Sequence, residues 1–149
     1  MTPEIRRILA PVYPGLVDDE SVLNRSPILS MDVNTFFFSH SATEIVDENM
    51  SRCNEIEADL IVGFFSYLNA NGLAPEKITV LTFYNGQRKL IGKKLRLLDS
   101  CRGRQLLVVT VDSYQGDEND VILLSLVRSN VSTHCMLGSV IVFVTQQRA

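Results

Sequence analysis

The chain has 149 residues, 46% of them hydrophobic and 21% charged, with a formal net charge of −3. This is enough apolar material for one domain with a packed core, and no apolar run approaches the ~20 residues that a membrane span needs. Three cysteines (Cys53, Cys101, Cys135) without a CxxC spacing, and two distant histidines (His40, His134), argue against a disulfide framework or a zinc site and fit free thiols in a reducing compartment.

Pro3 to Leu9 reads as a short helix with proline in its first turn, ended by Pro11, Pro14 and Gly15. Residues 15–33 are polar and loop-like, with Pro27 as a breaker. Thr35 to Ser39 reads as a strand and residues 40–50 as an acidic loop. Ser51 can cap a helix running to about Ala70, along which Ile56, Leu60, Phe64 and Leu68 recur every fourth residue, and Asn71-Gly72 supplies its stop. Ile78 to Phe83 is a strand apolar enough to be buried on both faces. Asn85 to Leu98 is an amphipathic helix, with Leu90, Ile91, Leu95 and Leu98 inward and Arg88, Lys89, Lys93, Lys94 and Arg96 outward. Leu106 to Val111, Val121 to Val127 and Val140 to Val144 are further strands.

Strands alternating with helices predict an α/β domain with a mostly parallel sheet and covered faces. The link between 111 and 121 is short for a helical crossover, so that pair is either antiparallel or joined by a compact loop. The first fifteen residues lack the long apolar segment of a secretory signal.

Charge is unevenly distributed. Residues 1–75 hold 4 basic and 11 acidic side chains, residues 76–104 hold 8 basic and 2 acidic, and residues 105–149 hold 2 basic and 4 acidic. A basic stretch within an otherwise acidic chain suggests a face that meets phosphates; a plain solvated helix face is the alternative.

Val111 to Ser125 is the most informative stretch. A β-branched run ends in a polar turn carrying Asp112, Ser113, Gln115, Gly116 and Glu118, and a second apolar run follows almost at once. Such a turn offers backbone N–H groups, carboxylates and hydroxyls at the end of a buried strand, where open α/β sheets bind ligands. Two other stretches imitate nucleotide motifs without their context. Gly86 to Lys94 has five residues between its glycines, Lys94 where the Mg²⁺-binding hydroxyl belongs, and a helical pattern, so it is not a phosphate loop. Asp18-Asp19-Glu20-Ser21 lacks the preceding apolar strand of a Walker B acid box.

Four elements, in order, carry a family resemblance. Met1-Thr2-Pro3-Glu4-Ile5 is similar to the end of the R-M-x-P-E-I element of superfamily 1B helicases. Ser51-x-x-Asn54-x-x-Glu57-Ala58 resembles the family's S-x-x-N-x-x-E-A helix start. Ile78 to Arg88, with Thr82, Tyr84 and Gln87, resembles motif IV (T-x-Y-x-x-Q), and Val111 to Asn130 resembles motif V. They cover roughly residues 1–130, and the similarity is strongest to NFX-type zinc-finger helicases of RNA silencing and to nonsense-mediated-decay helicases.

The resemblance implies a RecA-like fold of the P-loop NTPase class, namely the second helicase domain. It implies one partial domain over residues 1–149, truncated at both ends and divergent over 131–149. In the family, Thr82 and Tyr84 of motif IV meet nucleic acid, as do Asp112 and Ser113 of motif V, while Gln115, Gly116 and Glu118 face the nucleotide. Asn54 and Glu57 have capping and scaffold roles, and Arg128 braces the motif V loop by ion pairing. Walker A and Walker B belong to the first RecA-like domain. ATP and Mg²⁺ are therefore cofactors of the intact helicase, none is expected for this chain alone, and no catalytic or metal-ligating residue is assigned here. Arg148 is a poorly aligned stand-in for the motif VI arginine. The implied partners are single-stranded RNA or DNA and a first RecA-like domain, with no membrane, in an intracellular setting, cytoplasmic or nuclear. The rival reading is a non-catalytic module that holds nucleic acid or a protein through the basic helix. An unrelated small α/β enzyme is disfavoured, because no nucleophile–base pair or metal cluster is evident.

Overall fold

A computed structural model describes residues 3–17, 31–128 and 138–144, the last segment as backbone only. Among the described residues three helices, α1 (Pro3–Leu9), α2 (Glu55–Ala70) and α3 (Asn85–Leu95), accompany seven strands. The strands are β1 (Thr35–His40), β2 (Ile45–Val46), β3 (Arg52–Cys53), β4 (Ile78–Thr82), β5 (Leu107–Thr110), β6 (Val121–Ser125) and β7 (Gly138–Val144). The main sheet has the order β1-β7-β6-β4-β5, and β2 and β3 form a separate small antiparallel pair. β4 is parallel to both β5 and β6, whereas β7 runs antiparallel to β6 and to β1. Four of the five strands thus point one way, in a RecA-like α/β arrangement.

The long helix starts later than expected. Arg52 and Cys53 pair with Val46 and Ile45, so this backbone is extended. The N-cap is Asn54, at φ −136° and ψ 110°, whose side chain accepts the Glu57 N–H. Ser51 caps a different helix, its Oγ accepting the Gly86 N–H of α3 at 2.9 Å. At the other end Gly72 adopts φ 93°, and Leu73 N–H reaches back to Leu68 O, so Asn71-Gly72 does terminate α2.

Starting at Asn54 with Glu57 buried rotates α2 from the expected stripe. Ala58, Ile61, Phe65 and Leu68 face the core, with Ile91 and Leu95 of α3 and Ile78, Val80, Val121 and Leu123 of the sheet. Ile56 is 54% exposed, and with Leu60, Phe64 and Tyr67 it lines an open groove instead. The alternating strand residues Ile78/Val80 and Val121/Leu123 place α2 and α3 on the same face of the sheet. The expected cover of the opposite face is thin among the described residues: the link from β5 to β6 crosses it, anchored on Thr79.

That link resolves the ambiguity of residues 111–121. β5 and β6 do not pair with each other. They flank β4, both parallel to it, and are joined by a 3₁₀ turn (Val111–Tyr114) and a short loop. The decoy phosphate loop lies within α3. The first two residues of the Met1–Ile5 element, the Asp18–Ser21 decoy, Ser129-Asn130 and Arg148 lie outside the described residues. Among the described residues no helix is long and apolar enough to cross a membrane.

Candidate functional site

Parallel pairing places Thr110, Thr82 and Ser125 side by side, at the C-terminal ends of β5, β4 and β6. From these three strands the chain leaves the edge through residues 83–84 toward α3, residues 111–120 toward β6, and residues 126–128. The segments that resemble motif IV and the start of motif V are therefore neighbours.

Thr82 is fully buried, and its Oγ1 accepts the Tyr84 N–H at 3.4 Å. The expected hydroxyl contact with a nucleic-acid phosphate is not prepared here; the hydroxyl shapes the turn into α3. Tyr84, half-buried, is the backbone N-cap of α3 and makes no side-chain cap. Nor is the start of α3 an open anion site. Gly86 donates to Ser51, and a Cβ built on Gly86 would sit 2.9 Å from Asp47 Oδ2 and 3.0 Å from Arg52 O. The β2–β3 pair thus lies against this helix end and brings the Asp47 carboxylate to it, the charge a helix N-terminus favours.

Motif V divides in two. Asp112 and Ser113 are exposed at the C-terminal edge, with Ser113 Oγ 2.8 Å from Thr110 Oγ1. Tyr114 turns inward, where its hydroxyl accepts from Thr79 Oγ1 at 3.4 Å. Asn119 then donates to Thr79 Oγ1 at 2.9 Å and to Glu76 O at 3.0 Å, at the start of β4. A five-residue strand is roughly 13 Å long, so the loop runs most of one strand's length from Ser113 at the edge to Asn119. Gln115, Gly116 and Glu118 are exposed along this crossing, with Gly116 at φ 91°. Glu118, next to Asn119, lies toward the start of β4 rather than at the edge with Thr82. Burial pushes the Tyr114 phenol pKa up, and the nearby Asp117 and Glu118 carboxylates add to that, partly opposed by the Thr79 bond.

Behind the edge lies a buried polar cluster. Glu57, fully buried, accepts from Ser125 Oγ at 2.8 Å and from Val127 N at 3.0 Å to each carboxylate oxygen. His40 Nδ1 accepts the Ala42 N–H, which leaves Nε2 as donor to Glu57 at 3.3 Å in the neutral ring. Gln87, also fully buried, accepts the Asn54 N–H at 2.8 Å and donates to Asn54 O and Ser125 Oγ. Val127 sits at φ 72°, and Arg128 N–H bonds Leu126 O across it. A β-branched residue rarely adopts this γ-turn, which costs on the order of 1–3 kcal/mol; the two Glu57 bonds hold it. Asn54 and Glu57 thus have the capping and scaffold roles expected. Arg128 does not brace the loop by ion pairing: it has no carboxylate partner among the described residues, and its Nε is buried without a hydrogen bond.

His40, Tyr114 and Asn119 are structural anchors that the sequence patterns did not mark, and Gln87 was marked only as a match to motif IV, without a role. Gln87 carries the clearest signal in retrospect. It precedes Ile91 and Leu95 by whole turns on the inward side of α3, a polar residue in an apolar phase.

A family model described as an AAA domain matches residues 1–149. The chain is 45% identical over 137 residues to the "Helicase required for RNAi-mediated heterochromatin assembly 1" of Schizosaccharomyces pombe, covering 89% of this chain and 13% of that protein. It is 42% identical over 132 residues to mouse "NFX1-type zinc finger-containing protein 1", covering 87% of this chain and 7% of that protein. The "ATP-dependent helicase NAM7" of Saccharomyces cerevisiae is 36% identical over 98 residues, covering 64% of this chain and 10% of that protein. The chain therefore spans only about a tenth of the length of these relatives.

Proposed function

The chain belongs to this AAA-domain family, as a RecA-like second domain of the superfamily 1 helicase type, and from that premise we propose that it supplies one wall of a nucleotide cleft and part of a single-strand track. A first RecA-like domain supplies the other wall. The observation that carries this reading is the register Thr82–Thr110, which sends the motif IV and motif V connections out of one sheet edge.

The donor set of the crossing loop suits one part of a nucleotide better than another. Residues 111–118 contain Asp112, Asp117 and Glu118 and no cation. Carboxylates accept from sugar hydroxyls and repel phosphates. Glu118 therefore holds the ribose of ATP, Gly116 permits close backbone approach, and Gln115 supports the turn. The triphosphate and Mg²⁺, which provide the electrophile and its charge neutralisation, are held by the first domain. Asp112 and Ser113 border the nucleic-acid track, and the Thr82 and Tyr84 turn sets the position of that border. ATP-driven closure between two such domains moves this border along the strand.

In an enzyme made with both domains, Glu118→Ala is expected to raise the KM for ATP tenfold or more with the fold intact. An unchanged KM would remove the nucleotide role of this loop. The rival, a binding module without a nucleotide cycle, rests on the basic face of α3, and it is separated from this reading by whether a first domain restores turnover.

A further inference from the structure

Charge poses a problem for the proposed track. The exposed loop from β5 to β6 is acidic, with Asp112 at the edge and Asp117 and Glu118 further along, so it cannot itself attract a phosphate chain. Attraction has to come from elsewhere on the surface. Four of the eight cations of the basic stretch are ion-paired within the protein. Lys94 bonds both Asp59 (2.5 Å) and Glu55 (2.7 Å), Lys77 bonds Asp120, Arg102 bonds Asp99, and Arg104 bonds Glu76. Arg88, Lys89 and Arg96 have no carboxylate partner among the described residues. These three line one polar groove of about 170 Å³, with Gly92, Leu106 and Val108.

The groove lies between α3 and β5, the edge strand of the sheet. Arg88 stands in the first turn of α3, beside the C-terminal edge, and Arg96 follows its last residue. Eight residues of helix separate them, about 12 Å. Between them Gly92 presents no side chain, and the space above it is open. The half-buried Leu106 and Val108 form the floor. The apolar side of α3, Ile91 and Leu95, is buried in the core, so the helix has no apolar face to lay on a lipid surface.

We propose that this groove is a second contact surface for single-stranded nucleic acid, holding its phosphodiester backbone as the strand leaves the motif IV and V edge and runs down the β5 side of the domain. Arg88 and Lys89 receive the strand at the edge, and Arg96 holds it further along. This deepens the single-strand reading above and rests on it for the strand's path, but the groove itself can be tested separately.

The test is equilibrium binding of a fluorescent oligouridylate to the full chain at several salt concentrations. The variants are Arg88→Gln/Lys89→Gln/Arg96→Gln, the paired-cation control Lys94→Gln, and the loop variant Ser113→Ala. Removing three phosphate contacts is expected to flatten the slope of log K against log salt by about 2 and to weaken binding at low salt at least tenfold. Lys94→Gln is expected to bind as the parent does. Parent-like binding by the triple variant, or an equal loss in Lys94→Gln, would overturn the proposal, as would a parent chain that binds an acidic polypeptide but no oligouridylate. Loss in the triple variant with none in Ser113→Ala would uphold the groove and count against the loop's part in the track. Because all three substituted side chains lie outside the core, unchanged thermal unfolding serves as the control for folding.

Discussion

Glu57 holds Val127 by its backbone, with the Val127 N–H 3.0 Å from each oxygen of a carboxylate that is completely buried. The pair lies 70 residues apart in sequence. It ties the first turn of α2 to the γ-turn that follows β6, next to the edge from which the motif IV and V connections leave. Glu57→Ala removes the acceptor for Val127 N–H and Ser125 Oγ together. Each buried donor left unsatisfied costs about 1–3 kcal/mol, so the expected loss for the two is roughly 2–6 kcal/mol. Urea unfolding of the parent and variant chains measures it; a loss below the lower figure would mean that water or backbone movement replaces the carboxylate.

Gly86 is required by contact rather than by backbone angle. The Cβ of Gly86→Ala would meet Asp47 Oδ2 at 2.9 Å and Arg52 O at 3.0 Å, and overpacking of this kind costs typically about 1–3 kcal/mol. Gly63, on α2, has nothing within 4 Å of an added Cβ. There the same change should stabilise by up to about 1 kcal/mol, the helix preference of alanine over glycine. Thermal unfolding of the two variants should shift in opposite directions, and a shift of the same sign would show that the β2–β3 pair does not seat on α3 as described.

The crossing loop is held through Tyr114, and this has an alkaline signature. Its phenol ionises less readily in the folded protein than in the unfolded chain, chiefly because burial disfavours the phenolate. Above the unfolded value, near 10, the unfolded chain has released this proton and the native one has not. The native state then binds more protons, so stability falls as pH rises from about 10 through the raised folded value. Tyr114→Phe should lose this part of the alkaline decline, measured as unfolding free energy at neutral pH and above pH 10. An identical decline in both chains would place the phenol in water.

Lys94 provides a contrasting titration. Bonds to Asp59 and Glu55 raise its pKa, so any stability from these pairs is fully present below about 10.4 and is lost as pH rises through the raised value. Screening keeps such exposed pairs small. A double-mutant cycle of Lys94→Gln with Asp59→Asn should therefore give a coupling of about 1 kcal/mol or less at neutral pH, lower still at high salt. A coupling above 2 kcal/mol would contradict the solvent-exposed geometry.

Much of the fold was legible because its signals are local. The apolar run Ile78 to Thr82, the inward Ile91 and Leu95, and the Asn71-Gly72 stop all report their own surroundings. The start of α2 was misread because Ser51 is a good cap in isolation; what displaces it is the pairing of Arg52 and Cys53 with a two-residue strand too short to read from pattern. The apolar stripe of α2 was legible in part: Leu68 lies in the core and Leu60 and Phe64 pack against it, while Ala58, Ile61 and Phe65 carry the rest of the buried face and Ile56 is exposed. Burial of the charged Glu57 sets the helix phase, and only the distant Val127 and Ser125 make that burial tolerable. In the site, Asp112, Ser113, Gln115, Gly116 and Glu118 were visible as one polar turn. Their division between the edge and the face depends on Tyr114 and Asn119 both reaching Thr79, a contact no spacing announces.

In the function proposed above, this domain completes a nucleotide site that it shares with a first RecA-like domain. The most direct measurement is ATP turnover of the chain, with and without single-stranded RNA, by itself and mixed with a separately made first RecA-like domain. No turnover is expected for the chain alone, and RNA-stimulated turnover is expected in the mixture, above that of the first domain by itself. Turnover by the isolated chain would contradict it.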